Sequence, residues 1–439
     1  MKKIKIVGAG LAGCELALNF ADANWQVELY EMKPHKYSEA HKIPTFAELV
    51  CSNSLKSQLP TTGSGLLKAE MRHLGVKLLP IAEECSVPAG NALAVDRDRF
   101  SQEVTAKITC HPNITIINEE YKKIDDDLTV IASGPLSSDN IIDALSPYLP
   151  ETSLYFFDAI APIVEKDSIN FDRAFYKSRY DKGDADYINC PFTKEEYYAF
   201  VDALNDAEKH QAKEFENKYF SDIKFKFYEN CTPIEELARR GKETLRFGVL
   251  RPVGLEDPIT DRRPYAVLQL RIENTSHNAY NLVGCQTMLK YGEQKRVFRL
   301  IPGLENANFL RYGSIHRNTY LNSPQVLNPD LSLKNKANVY IAGQLSGVEG
   351  YVESIYIGLL LFHIIHNNLK SLPNVTISGQ LWSHLITEQK NFQPMNANFG
   401  LLPPLDIRDK KKKKEAYAER ALQAIQASFG LNPNGAVEL

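Results

Sequence analysis

A chain of 439 residues, 44% hydrophobic and 24% charged, has the make-up of a globular protein of more than one domain. Its formal net charge of −3 excludes a uniformly basic nucleic-acid binder, so any RNA site has to come from local clusters among the 51 lysines and arginines. Seven cysteines without paired spacing suit reduced thiols in a cytoplasm, not a disulfide frame or a metal site. No apolar run reaches the ~20 residues of a membrane span, and a strand that begins at Lys3 leaves no place for a signal peptide.

The first thirty-one residues organise the chain. Lys3 to Val7 reads as a buried parallel strand, Gly8-Ala9-Gly10-Leu11-Ala12-Gly13 as a tight turn, and Cys14 to Ala23 as a helix. A second strand, Gln26 to Tyr30, ends in Glu31. This is the βαβ dinucleotide fingerprint. Its glycines serve the turn, the approach of backbone to pyrophosphate and helix–strand packing, while the acid is placed for ribose hydroxyls. The free N–H groups at the helix start suit the phosphates.

Phe46 to Ser57 follows as an unusual stretch, with Cys51 among small polar side chains directly after an apolar turn. Gly65 to Leu74 and Arg99 to Thr109 read as helices, with a short strand ending near Val95 between them. Asn113 to Asn118 and Leu128 to Ser133 read as β-branched strands, the second running into a turn at Gly134. From about Lys166 aromatic and charged residues become frequent. A charged amphipathic helix is predicted within Lys194 to Phe220, a strand at Phe225 to Glu229, and a short helix after Cys231-Thr232-Pro233. Tyr265 to Glu273 and Tyr280 to Gly284 alternate as antiparallel partners.

A second strand–glycine turn–helix then appears. Asn338 to Gly343 is apolar, Gln344 to Tyr351 carries Gly347 and Gly350, and Val352 to Asn367 is an apolar helix. Two such units far apart suit FAD better than NAD as the tightly held cofactor: one turn takes the pyrophosphate, and the late helix points its N-terminus at the flavin ring. The expected fold is therefore α/β, a Rossmann-like FAD-binding domain of residues 1–165 and 328–439 with an inserted α+β domain of residues 166–327. The expected cofactor contacts are Gly8, Ala9, Gly10, Leu11, Ala12, Gly13, Glu31, Gly134, Gly343, Gln344, Gly347, Gly350 and Tyr351. A helical tail, Asp409 to Phe429, carries the run Lys410 to Lys414, either an RNA grip or a solubilising face.

The motifs GAGLAG, FAELVCSNSLKS, VPAGNALAVDRD, DAIAPIVEKDSI, KGDADYINCPFTKEEY, CTPIEELARRG, YGSIHRNTYLNSP, AGQLSGVEGYVES and PMNANFGLLPPL run nearly end to end. In them the chain closely resembles the TrmFO flavoproteins, which are GidA-like in fold. The resemblance implies that FAD, methylenetetrahydrofolate and NADPH or NADH together deliver a methyl group to C5 of a uridine in the T-loop of tRNA. A ribosomal-RNA uridine is the alternative target. No obligate protein partner is expected. The two family cysteines fall at Cys51 and Cys231. Uracil C5 becomes nucleophilic only after something adds at C6, so one thiolate is expected to add and a second group to take the C5 proton. Cys51 is preferred as nucleophile and Cys231 as acid/base, with the reverse order left open. The chain departs from the family at Met288 and Tyr291, where histidine and tryptophan are usual. Arg97, Lys290, Glu293, Lys295, Arg296 and Arg299 are candidates for RNA or folate contacts, or simply a solvated face. An ordinary FAD oxidoreductase, or an RNA-modification flavoprotein that works only within a complex, would not call for this pair of cysteines.

Overall fold

Short apolar strands separated by helices leave a parallel sheet as the arrangement that buries them all. The computed structural model, which describes residues 2–149, 154–159, 161–181, 185–209, 232–313, 315–390 and 392–429, has this sheet at its centre. Its six strands run in the order Ser332–Leu333, Lys336–Ile341, Thr129–Ile131, Lys3–Val7, Gln26–Tyr30, Ile114–Ile117. All neighbours are parallel except the first pair. The strand that enters the glycine turn is thus interior, and the late strand Lys336–Ile341 lies one strand away from it, on the far side of Thr129–Ile131. The helices that follow these two strands, Leu11–Asp22 and Tyr351–Asn367, pack directly together. Gly358 permits the contact: a Cβ there would lie 2.6 Å from the Ala12 carbonyl oxygen.

A second sheet has antiparallel neighbours throughout, in the order Phe175–Tyr176, Tyr187–Phe192, Ala266–Ile272, Ala279–Leu282, Ile163–Glu165, Phe309–Arg311. The helix Lys194–Asp206 packs on it through Tyr197, Phe200, Val201 and Leu204, and starts in a reciprocal capping box between Thr193 and Glu196. The two sheets serve separate hydrophobic cores. Between the cores lies a small sheet of Ser54–Ser57, Ala92–Val95 and Ser86–Val87. Its alternation is divided between them: Leu93 and Val95 enter the first core, and Ala94 the second. A two-stranded ribbon, Leu154–Ala159 with Ile315–Tyr320, carries the chain out and back.

Several element ends differ from the sequence reading for local reasons. The first helix begins at Leu11, because the glycine turn itself is its N-terminus. The helix Arg97–Thr109 begins two residues earlier than expected, because Asp96 caps it by accepting from Arg99 N. The charged helix ends at Asp206. The rest of its predicted span, the strand at 225–229 and Cys231 lie outside the described residues.

Candidate active site

The glycine turn is held by contacts that only glycine allows. Gly8 has φ +102°, and a Cβ on it would meet the Ala132 carbonyl oxygen at 2.7 Å. A Cβ on Gly13 would collide with the Gly8 carbonyl oxygen. Gly10 differs, since a Cβ there meets nothing within 4 Å. It faces a cavity of about 1120 Å³, open mouth included, lined by Gly8 to Ala12, Glu31, Gly134, Gly343, Gln344 and Tyr351. Glu31 is buried at the edge of this space. Its carboxylate accepts from Ala9 N (2.9 Å) and Lys33 N (3.0 Å), one donor per oxygen. Each oxygen keeps capacity for a further donor such as a hydroxyl. The approachable backbone at Gly10 and the acid fit an adenine dinucleotide.

Ten of the thirteen expected cofactor residues therefore share one cavity. Gly13, Gly347 and Gly350 do not line it. Gly13 packs the turn, and Gly347, at φ +95°, lies so close to Phe392 that a Cβ would be 2.5 Å from its ring. The wall also includes Glu48 and Val50 of the Phe46–Ser57 motif, and Lys33 and Ser133, which lie in no motif.

Cys51 stands beside this cavity on an irregular loop held from three sides. Tyr351, the first residue of the late helix, accepts at its hydroxyl from Cys51 N (2.7 Å) and Ser52 N (3.2 Å). Burial, and next the charge a Cys51 thiolate would carry, hold the Tyr351 hydroxyl above the ordinary phenol range. Arg97 Nη1 donates to Leu49 O at 3.0 Å. Asn53, fully buried, donates to Val95 O (3.1 Å) and Ile272 O (2.8 Å) and accepts from Arg271 Nε (3.0 Å). The loop is thus fastened to the late helix, to the small sheet and to the second sheet. Two further contacts join the same surfaces: Arg97 Nε lies 2.7 Å from Glu273 Oε2, and Asp96 Oδ2 accepts from Thr275 N (2.9 Å) and its hydroxyl (2.8 Å). Cys51 itself remains half-buried.

The other charged candidates divide. Lys290 pairs with Glu208, Glu293 with Arg296, and Arg299 donates to Ala307 O, all within their own neighbourhood. Arg97 alone of that set belongs to the Cys51 surroundings. Tyr351 was placed near the cofactor by sequence, but its grip on the Cys51 loop joins residues 300 apart and has no local signal. Met288 is buried, its N–H donating to Glu235, and Tyr291 is exposed against Tyr312.

Parallel sheet, glycine turn and late helix meeting at one cavity define a dinucleotide-binding protein of the GidA fold. The family model described as glucose inhibited division protein A matches residues 3–373. The crystal structure of Aquifex aeolicus GidA superposes with a TM-score of 0.69 at 14% identity, covering 99% of this chain and 74% of that one. Within that fold the chain belongs to the TrmFO family, the methylenetetrahydrofolate–tRNA-(uracil-5-)-methyltransferases. It is 51% identical to the TrmFO of Oleidesulfovibrio alaskensis over 98% of both chains. It is 50% identical to that of Bacillus subtilis, over 96% of this chain and 98% of that one. To that of Koribacter versatilis it is 53% identical, over 96% of each. No helix among the described residues is long and apolar enough to cross a membrane.

Proposed function

We propose that this protein methylates C5 of a uridine in the T-loop of tRNA in the cytoplasm, taking the carbon from methylenetetrahydrofolate, with FAD as cofactor and NADPH or NADH as reductant. The supporting observation is the seating of the Cys51 loop on Tyr351, a wall residue of the dinucleotide cavity, in a chain half identical end to end to TrmFO relatives. In this reading residues 1–165 and 328–439 hold the cofactor and 166–327 form the inserted domain, whose sheet also takes in the strand Ile163–Glu165.

Each residue then has a task. Gly10 leaves the backbone open to the pyrophosphate, and the unpaired N–H groups at the start of Leu11–Asp22 bind it. Glu31 accepts from the ribose. Gly343, Gln344 and the start of Tyr351–Asn367 face the ring end. When bound, the flavin supplies the redox chemistry that turns the folate-borne carbon into a methyl group. Cys51 adds to uracil C6, making C5 nucleophilic, and Cys231 removes the C5 proton once the carbon is attached. Tyr351 keeps the Cys51 amide fixed while its thiol faces the base.

The test is to incubate the purified protein with labelled methylenetetrahydrofolate, NADPH and unmodified tRNA transcript. Label in 5-methyluridine is expected. Label arriving from S-adenosylmethionine with folate absent, or reaching only a ribosomal-RNA fragment, would overturn the donor or the target respectively.

A further inference from the structure

One exposed face over the second hydrophobic core gathers basic and aromatic side chains. Residues 239–251 hold Arg239, Arg240, Lys242, Arg246 and Arg251 against a single acid, Glu243, in a chain whose net charge is −3. Arg239 is answered by Glu236, while Arg240 and Arg251 make no ion pair among the described residues. The segment is fastened from beneath to the helix Lys194–Asp206. The buried Tyr197 hydroxyl donates to Lys242 O (2.8 Å) and accepts from Arg246 N (3.1 Å). Glu243 then fixes the rings above. Its Oε1 accepts from the hydroxyls of Tyr198 (2.6 Å) and Tyr265 (2.8 Å), and its Oε2 from Arg246 Nη1 (3.3 Å). The one acid of the segment is therefore spent inside the face.

What the face presents is a row of rings and cations. Lys194 and Lys242 stand over Tyr198 at 5.9 and 5.8 Å, with Asp202 a loose exposed neighbour of Lys242 at 3.6 Å. The Arg246 guanidinium lies over Tyr265 at 4.2 Å and over Phe247 at 5.4 Å. Phe247 is 73% exposed, so no core accounts for its ring. An exposed ring braced by a guanidinium and flanked by ammonium groups suits an unstacked base beside its phosphates. The helix Ile234–Arg239 connects this face along the chain to Cys231, one of the two cysteines assigned to the reaction in either order.

Resting on the RNA reading given above, we propose that this face docks the tRNA loop that carries the target uridine. Phe247 stacks on a base exposed by that loop, Arg246 braces the ring, and Lys194 and Lys242 take the adjoining phosphates. Stacking needs only a π-face, whereas the lysines contribute by releasing counterions. A stem without a loop offers phosphates but no free base. The two contributions therefore separate on different RNAs.

The experiment uses full-length, FAD-loaded protein and measures Kd at several salt concentrations for a T-arm stem–loop and for a blunt duplex of the same stem. Phe247→Ala should weaken binding of the stem–loop about tenfold and of the duplex less than about twofold, with flavin content and melting temperature kept. Phe247→Trp should restore the affinity. Replacing Lys194 and Lys242 together by Ala should flatten the salt dependence on both RNAs, by about 0.7–0.9 in slope for each lysine. This variant tests the face independently of the ring. An unchanged stem–loop affinity with Phe247→Ala, an equal loss on both RNAs, or an unchanged slope in the lysine variant overturns the proposal. So does a change from dimer to monomer at unaltered RNA affinity, which marks the face as a contact between copies of this chain. Wild-type protein that methylates tRNA while the variants show no loss fails this proposal alone. Wild-type protein that neither binds nor methylates tRNA fails the RNA reading, and the proposal with it.

Discussion

The glycine turn and the Cys51 loop lie on the same cavity but are held in opposite ways. The turn is fixed by neighbours within a few residues, Gly13 against Gly8, and by strand Thr129–Ile131 next door. The Cys51 loop has no regular hydrogen-bond ladder before Ser54. It is fixed by Tyr351, Arg97 and the contacts of Asn53, which come from three distant parts of the chain. The glycine turn is therefore largely a local device, although the cavity it lines is completed by Gly134, Gly343, Gln344 and Tyr351 from later in the chain. The reacting end exists only when both cores are assembled.

Breaking the local device should produce the largest effect. Gly13→Ala places a methyl on a backbone carbonyl that cannot yield, so a loss of about 3 kcal/mol and of bound flavin is expected. Gly10→Val meets open space and should leave the thermal midpoint nearly unchanged, yet give colourless protein. Absorbance at the flavin band together with a melting curve separates the two.

Breaking the long-range device should be milder and should spare the cofactor. Tyr351→Phe leaves the amides of Cys51 and Ser52 without their acceptor, at a cost of about 1–3 kcal/mol, and should cut methylation more than about tenfold with flavin content retained. Equal flavin loss would merge the two regions into one.

Beneath the Cys51 loop, Lys68 is fully buried and donates to Leu55 O. Burial brings its amine down from the usual 10.5 to about 7. Between those values the unfolded chain binds a proton that the folded chain does not, so stability should rise with pH across about 7 to 10.5. Lys68→Met should flatten that slope in denaturant titrations at several pH values. An unaltered slope would mean that Lys68 is charged in place.

The smallest effect concerns the tail helix Lys410–Phe429. Its first five residues are lysines at the positive end of the helix dipole, offset by Asp409, which caps Lys411 N (2.9 Å) and Lys412 N (3.0 Å). Replacing all five by Ala should raise helix stability by a few tenths of a kcal/mol per residue, about 0.3 each. If these lysines touch phosphates, the same change should flatten the salt dependence of RNA binding, and an unchanged slope would leave them a solubilising face.

What was legible in the sequence follows the same division. Strand, glycine turn and helix are determined by residues within hydrogen-bond reach along the chain, and Lys3–Val7, Gln26–Tyr30 and the late helix lie where periodicity put them. The thirteen residues expected at the cofactor include three glycines that pack instead of lining, because φ and close approach demand glycine in both circumstances. The ties on Cys51 were not legible. Nothing in the pattern around Arg97 says that it faces Glu273, and nothing near Asn53 says that it reaches Ile272, since those distances close only on folding.

The most direct measurement of the central reading compares Cys51→Ala and Cys231→Ala on tRNA carrying 5-fluorouridine at the target. Fluorine at C5 leaves no proton to remove, so an adduct formed by addition at C6 persists. The wild type and Cys231→Ala should both give a protein–RNA complex that survives denaturing gels, and Cys51→Ala should give none while still binding FAD. A persistent adduct with Cys51→Ala and none with Cys231→Ala would contradict the account and exchange the roles of the two cysteines.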